Sequence, residues 1–348
     1  METRVCRLYG QHDLRIETAD VPQPGPGEVL VAIGAGGICG SDLHYFQDGG
    51  FGPIRVREPI ILGHEIAGTI SALGEGVTSL KVGQKVAVNP SRPCRSCKYC
   101  AEGLFAHCLA MRFMGSALRF PHEQGGFRDL VVTDAIQCEP VGAHVDHAEA
   151  ACAEPLAVCL HAANQAGPLE GRHVLITGAG PIGLLCLAAA KRAGAASITV
   201  TDLQDATLAV AAQMGASQTI NVMTQPEALE PFKADKGHFN VVFECSAAAP
   251  ALRTAIECVR PRGRIVQVGV TGDLPIPVNL IVGKEIEFVG THRFHEEYAL
   301  AARLIDSGEI DVKPVISHRF ALDDAEEAFR IAGDRSQAIK VSLTFASA

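Results

Sequence analysis

A two-domain α/β fold follows from three observations on this 348-residue chain. After residue 172, apolar runs of strand length alternate with alanine-rich helical stretches, the pattern of parallel βαβ units. Before it, short apolar runs are set among many glycines and prolines, which suits a β-rich domain with long loops. The chain also exceeds the size that one hydrophobic core usually serves.

In chain order, Val29–Ile33 and Lys85–Val88 are the clearest strands of the first domain. Pro155 follows Glu154 and opens an apolar helical stretch to Ala166, which Gly167-Pro168 ends. A domain boundary is therefore expected near 155. Candidate strands then occupy 173–177, 197–202, 219–222, 240–244, 264–269 and 286–290, enough for a six-stranded doubly wound parallel sheet. Beyond Gly290 the rhythm stops. Helices are expected over 296–306 and 324–332, with a last strand near 339–345. The organisation is thus 1–155, 156–290 and a segment 291–348 that returns to the first domain.

Composition narrows the function. A hydrophobic share of 47% with 20% charged residues supports a sizeable core and excludes a disordered chain. A net charge of −9 without a basic stripe argues against a nucleic-acid partner. The start Met1-Glu2-Thr3-Arg4 lacks the features of a secretory signal. Glycines and Pro181 break the apolar run 174–190, so no membrane partner is expected and the location reads as cytoplasmic.

Cys94, Cys97, Cys100 and Cys108 carry two, two and seven intervening residues in a turn-rich segment at about 90–110. Four thiolates so spaced close tetrahedrally on one zinc and leave no position for substrate, so this lobe reads as a structural zinc site. The neighbouring Arg95 and Lys98 are expected to lower the thiol pKa values.

Gly178-Ala179-Gly180-Pro181-Ile182-Gly183 lies between a strand and a helix former. The glycines permit a tight turn and close approach of backbone N–H groups to a pyrophosphate at a helix N-terminus, the dinucleotide fingerprint of a Rossmann sheet. Asp202 ends the next strand nineteen residues after Gly183, where a carboxylate binds the ribose hydroxyls of NAD. It would repel the 2′-phosphate of NADP, and Leu203-Gln204-Asp205 offers no compensating arginine. A plain tight turn and a helix cap at Asp202 are the alternatives. Val268 and Gly269 close the fifth strand, where their backbone is expected to meet the nicotinamide amide.

A second metal site is suggested by Cys39 in a Gly-rich loop, His64 and Glu65 after Gly63, and Glu154 before Pro155. Ligands on separated loops suit an open zinc site with a position left for substrate, where the metal lowers the pKa of a bound alcohol toward roughly 7. Taken singly, each has an ordinary alternative: a buried thiol, a core histidine, an ion-paired glutamate. Of the twelve cysteines, these five leave seven, which read as small core residues in a reducing compartment.

The Cys39 motif, Gly63-His64-Glu65, the four-cysteine lobe, Glu154-Pro155-Leu156 and the glycine turn occur in the order seen in zinc-dependent medium-chain dehydrogenases. The sequence resembles that family over almost its whole length, and within it the sorbitol dehydrogenase branch. The resemblance implies a GroES-like catalytic domain, two zinc ions per chain, NAD, and a homotetramer or homodimer. It makes Cys39 and His64 ligands of a catalytic zinc, with Glu65 and Glu154 binding it directly or through water. Ser41 matches the hydroxyl that passes the substrate proton onward, and His44 stands where a relay reaches solvent; a turn serine and a surface histidine are the alternatives. Such a relay suits a hydroxyl that both accepts and donates. The implied substrate is a sugar acid or a polyol, with Tyr45, Phe113 and Arg293 beside it, and a guanidinium at Arg293 suits a carboxylate. Arg112, Arg119, His122 and His292 are further candidates. One departure is Thr207, where sorbitol dehydrogenases often carry an arginine.

Overall fold

The computed structural model describes residues 1–346 and divides into two compact units. The first takes Met1–Glu154 and resumes at Tyr298; the second is Pro155–Glu297. The last two residues of the expected segment 291–348 lie outside the described residues.

The first unit is built on a seven-stranded sheet. Its order is Cys138–Pro140, Lys85–Val88, Glu65–Leu73, Glu28–Gly37, Lys340–Thr344 and Ile316–Ala321, with Leu130–Asp134 also pairing Glu28–Gly37. Val29, Val31 and Ile33 are buried, and they pack with Ile66, Val86, Phe127, Phe329 and Leu343 in one core. Burying each such side chain contributes about 1.5–3 kcal/mol. Register then places the chemistry. Gly37 pairs Glu65 on one side and Ser342 on the other, so the loop bearing Cys39, the start of the Glu65 strand and the strand bearing Lys340 converge. A Cβ on Gly37 would stand 2.2 Å from Glu65 Oε2, so only glycine leaves room for that carboxylate.

The second unit is a parallel six-stranded sheet in the order Gln218–Asn221, Ser197–Asp202, His173–Thr177, Phe239–Glu244, Val259–Gln267 and Glu287–Gly290. Val174, Leu175 and Ile176 are fully buried, as expected for a strand covered on both faces. Helix Pro181–Arg192 starts on a proline in its first turn, where the missing N–H costs nothing. The fifth strand differs from the sequence expectation of 264–269. It begins at Val259 and ends at Gln267, leaving Val268 and Gly269 in the following loop. Strand pairing resumes after a register shift opposite Phe239 and Val241, with Arg262 at φ 57 in the interruption.

Candidate metal centres and cofactor turn

In the four-cysteine lobe all four sulfur atoms lie within 4.8 Å of one another, although only Cys100 and Cys108 are buried. Short turns bring them together: Cys97 precedes the helix Lys98–Ala101, and Cys108 ends the 3-10 turn Phe105–His107. Backbone N–H groups already point at sulfur, with Cys94 N donating to Cys108 Sγ at 3.1 Å and Ala110 N at 3.4 Å. The Cys94 thiol is pulled down to about 6, chiefly by the Ser96 backbone and hydroxyl. At Cys94 the effect expected of Arg95 and Lys98 is therefore carried by the turn's own hydrogen-bond donors, a local N–H nest for anions, whereas burial and the neighbouring thiols Cys97 and Cys108 push Cys100 up to about 12. Four clustered thiols with no disulfide fit a tetrahedral zinc site.

The second cluster is assembled from distant segments. The Cys39, His64 and Glu65 ligand atoms lie within 4.8 Å of one another. His64 and Glu65 are buried and Cys39 is half-buried. Glu154 stands outside that set of three but is itself buried. Burial pushes its carboxyl up to about 8, with His64 opposing and Glu65 and Cys39 adding to the rise. Burial and then Glu65 likewise push the Cys39 thiol up to about 11. Sulfur, imidazole and carboxylate donors gathered where anions are disfavoured fit a divalent cation, which inverts that local balance.

Two residues that motif reading missed complete this centre. Asp42, fully buried, accepts from Cys39 N at 3.0 Å and from Gly63 N at 3.4 Å, and its carboxylate lies 3.6 Å from His64 Nδ1. It thereby ties the two ligand loops together through their backbone and stands beside the imidazole, the place from which outer carboxylates orient histidine at zinc sites. Lys340, also buried, donates to Glu65 Oε1 at 2.8 Å, Glu65 Oε2 at 2.7 Å and Ile38 O at 3.2 Å. Asp42 is the third residue of helix Gly40–Asp48 and forms its capping box, a pattern readable in principle from Cys-Gly-Ser-Asp. Lys340 had no such signal.

The other candidates divide. Ser41 is half-buried on the same helix, and His44 is exposed, with Nδ1 2.9 Å from Asp48 Oδ2. Tyr45 is buried and its hydroxyl accepts from Ala117 N at 3.3 Å. The buried Phe113 ring lies 5.5 Å from the His64 ring. Arg293 belongs to the second unit, half-buried, with φ 55. Arg119 and His122 are engaged locally: Arg119 donates to Ala110 O, while His122 Nε2 accepts from Arg57 N and its Nδ1 lies 2.7 Å from Arg119 O.

In the second unit, Gly178 has φ +90, and a Cβ on Gly183 would stand 1.8 Å from Gly178 O. The turn and the close helix–strand approach thus both require glycine. Gly180 caps helix Pro181–Arg192, and the Ile182 carbonyl accepts from Cys159 Sγ at 3.3 Å. Asp202 Oδ2 accepts from Ala179 N at 2.6 Å, and Oδ1 from Leu203 N and Gln204 N. The next helix begins after Gln204, so Asp202 is not its cap. Val268 N and Gly269 N both donate to the Glu244 carbonyl, at 2.9 and 2.8 Å. Their N–H groups are thus engaged, and the Gly269 carbonyl also accepts from Gln267 Nε2 at 2.8 Å.

Beneath these loops lies Glu244, unsuspected from sequence and fully buried. Its carboxylate accepts from Thr177 Oγ1 (3.2 Å), Ser246 N (2.9 Å), Ser246 Oγ, Ala247 N (3.1 Å) and Gln267 Nε2 (2.6 Å). One side chain thus joins the ends of three neighbouring strands.

Fold and site together define a zinc-dependent oxidoreductase, and the chain belongs to the zinc-binding alcohol dehydrogenase family. The family model for the alcohol dehydrogenase GroES-like domain matches residues 25–143, and that for zinc-binding dehydrogenase matches 181–307. L-idonate 5-dehydrogenase (NAD(P)(+)) of Escherichia coli K12 is 41% identical, covering 99% of this chain and 99% of that protein. The crystal structure of L-idonate 5-dehydrogenase from an E. coli K-12 substrain aligns with a TM-score of 0.94 at 41% identity over 99% of both chains. Sorbitol dehydrogenase of Arabidopsis thaliana is 35% identical, covering 98% of this chain and 94% of that one.

Proposed function

We propose that this protein is an L-idonate 5-dehydrogenase, oxidising the C5 hydroxyl of L-idonate to 5-dehydro-D-gluconate with hydride transfer to NAD. The observation that carries this reading is 41% identity over 99% of both chains to an enzyme of that name, combined with the gathered Cys39, His64 and Glu65. The runner-up is a polyol dehydrogenase acting on sorbitol or xylitol, favoured by the sorbitol dehydrogenase relative.

Cys39, His64 and one of Glu65 or Glu154 hold the catalytic zinc in this reading, and Cys94, Cys97, Cys100 and Cys108 the structural one. Bound zinc supplies Lewis acidity that makes a substrate hydroxyl easier to deprotonate. Ser41 receives that proton. Ser41 and His44 are three apart on one helix and so share a face, which gives the proton a course toward the exposed imidazole. Buried Tyr45 and Phe113 keep water from the reacting carbon, and Arg293 binds the substrate carboxylate through its guanidinium.

NAD lies on the turn of Gly178, Gly180, Pro181, Ile182 and Gly183, with Asp202 and Leu203 at the adenosine ribose and Val268 and Gly269 near the nicotinamide. The Asp202 charge favours NAD, so Asp202→Ala should narrow the preference over NADP; an unchanged ratio of kcat/KM values counts against this placement. The strand Glu287–Gly290 is an uncovered sheet edge with Phe288 exposed, and the preceding helix Val278–Lys284 exposes Val278 and Val282, which supports a homodimer or homotetramer through this unit. Twelve free cysteines support a reducing, cytoplasmic setting.

The deciding experiment supplies NAD with L-idonate, D-gluconate, sorbitol, xylitol or L-threonine and follows NADH absorbance. L-idonate should give the highest kcat/KM. Rapid turnover of sorbitol with none of L-idonate would establish the polyol reading in its place.

A further inference from the structure

The antiparallel ribbon of Ser91–Arg92 and Arg112–Phe113 has two unlike faces. Successive strand residues point to opposite sides, and Phe113 turns its ring toward His64. Arg112 therefore faces away from the metal centre, as does Arg92, its direct cross-strand partner. Both line a cavity of about 390 Å³ in the first unit, together with Arg128.

The charges around this cavity do not balance. Like charges directly opposite on a ribbon repel, and here each takes one carboxylate: Arg92 Nε lies 2.8 Å from Asp134 and Arg112 Nε 2.5 Å from Glu123. Asp134 and Glu123 are consumed by those pairs. Nearby Asp129 is held by Arg4 at 2.9 Å, and the Arg7 guanidinium by Glu17 at 2.6 Å. Nothing is left for Arg128. Its Nε is shielded from solvent and has no hydrogen-bond partner, and its side chain makes no ion pair among the described residues. Burial, with Arg7 adding its charge, lowers the Arg128 pKa to about 10, so the pocket works against the cation it contains. His122 and Gln124, also on the lining, cannot answer it. His122 is engaged through both ring nitrogens, and Gln124 Oε1 accepts from Ile61 N. Arg128 as a whole is half-buried, with its Nε shielded, so its guanidinium has no acid beside it and only water to answer it, and its planar fork matches an oxyanion bidentately.

We propose that this cavity is an oxyanion-binding site, distinct from the metal centre, in which Arg128 and the outward nitrogens of Arg92 and Arg112 bind a carboxylate or phosphate group. Two sources share that chemistry: a free small oxyanion, or an acidic side chain of a second copy of this acidic chain.

Zinc-loaded full-length protein is titrated with inorganic phosphate at constant ionic strength, following thermal stability and heat of binding. Its self-association is measured by sedimentation with and without phosphate. Arg128→Met removes the charge at similar volume, and Arg128→Lys restores it. With a free ion as the occupant, phosphate stabilises the wild type saturably, Arg128→Met binds it about tenfold or more weakly, and Arg128→Lys recovers part of the loss. With a second copy as the occupant, phosphate binds weakly or not at all, and Arg128→Met dissociates the oligomer while Arg128→Lys does not. NAD-linked turnover per folded site is unchanged in the first case. The proposal is overturned if Arg128→Met and wild type bind phosphate equally, or if neither binds it, with self-association the same in both.

Discussion

The two candidate metal clusters of the first unit would put the same sulfur chemistry to opposite ends. The lobe draws four like ligands from fifteen consecutive residues, 94–108, and its backbone N–H groups already point at sulfur. The second cluster draws unlike ligands from segments far apart in sequence, and depends on a buried aspartate and a buried lysine to hold them. A ligand set that is local and saturated holds its own segment together. A set that is dispersed and unsaturated needs the whole fold to assemble it, and it retains a coordination position for chemistry.

The strongest way to break that comparison is at the lobe. Structural zinc contributes on the order of 10 kcal/mol to local folding. Cys97→Ser should therefore lose one of two zinc ions per chain and lower thermal stability sharply, while molecules that remain folded keep their kcat. Metal analysis with active-site titration reads both. A variant that stayed folded and assembled yet lost hydride transfer would show the lobe to be part of the reaction.

Cys39→Ser should do the reverse. It also reduces the zinc content from two to one, but kcat/KM falls at least about a thousandfold, equivalent to roughly 4 kcal/mol of transition-state stabilisation, with little change in folding. Retention of both zinc ions and full activity would sink the ligand assignment.

Legibility in the sequence followed the same division. The lobe, the glycine turn and Asp202 are short, contiguous patterns whose function is carried by local spacing, and the structure gathers each of them. All six strands of the parallel sheet are present: the central runs His173–Thr177 and Phe239–Glu244 are apolar and buried on both faces, whereas the edge strand Glu287–Gly290 is largely exposed and is marked only by its short apolar run. The fifth strand's limits were missed because its first half pairs across a register shift that no apolar run marks. Cys39, His64 and Glu65 have no spacing that joins them, so only resemblance to a family made them a set. Asp42 is legible as a helix cap but not as the partner of the His64 loop, and Glu244 and Lys340 escaped because what they join, Thr177 and Gln267 in one case and Glu65 in the other, lies far away in the chain. Lys340 meets Glu65 from 275 residues off, and nothing in Ala338-Ile339-Lys340-Val341 distinguishes it from an ordinary strand lysine.

Lys340 also tests what the dispersed centre costs to hold. Removing one partner of a buried ion pair leaves the other uncompensated, at about 3 kcal/mol or more. Lys340→Met should destabilise strands Glu28–Gly37 and Glu65–Leu73 by about that amount in hydrogen exchange, while exchange in the lobe is unchanged. Equal protection in variant and wild type would mean that Glu65 is held by other groups, and that the centre is less dependent on its surroundings than the comparison requires.

The smallest effect belongs to Glu244, where the contrast between local and assembled sites reaches the second unit. Asp202 binds backbone of its own turn and of the glycine turn, whereas the Glu244 carboxylate joins Thr177, Ser246, Ala247 and Gln267. Glu244→Gln preserves shape but replaces one acceptor oxygen by an NH2 donor, which faces the Ser246 or Ala247 backbone N–H, neither of which can accept; the Thr177 and Ser246 hydroxyls can answer it only by turning round. A mispaired buried group costs about 1–3 kcal/mol. Because these contacts position the backbone around the proposed NAD site, part of that loss should appear as weaker NAD binding, about tenfold, with KM for NAD rising more than kcat falls. Zinc content should stay at two per chain. If NAD affinity were intact and only thermal stability fell, Glu244 would be a packing residue of the sheet, and the glycine turn would hold its shape through Asp202 and its own glycines alone.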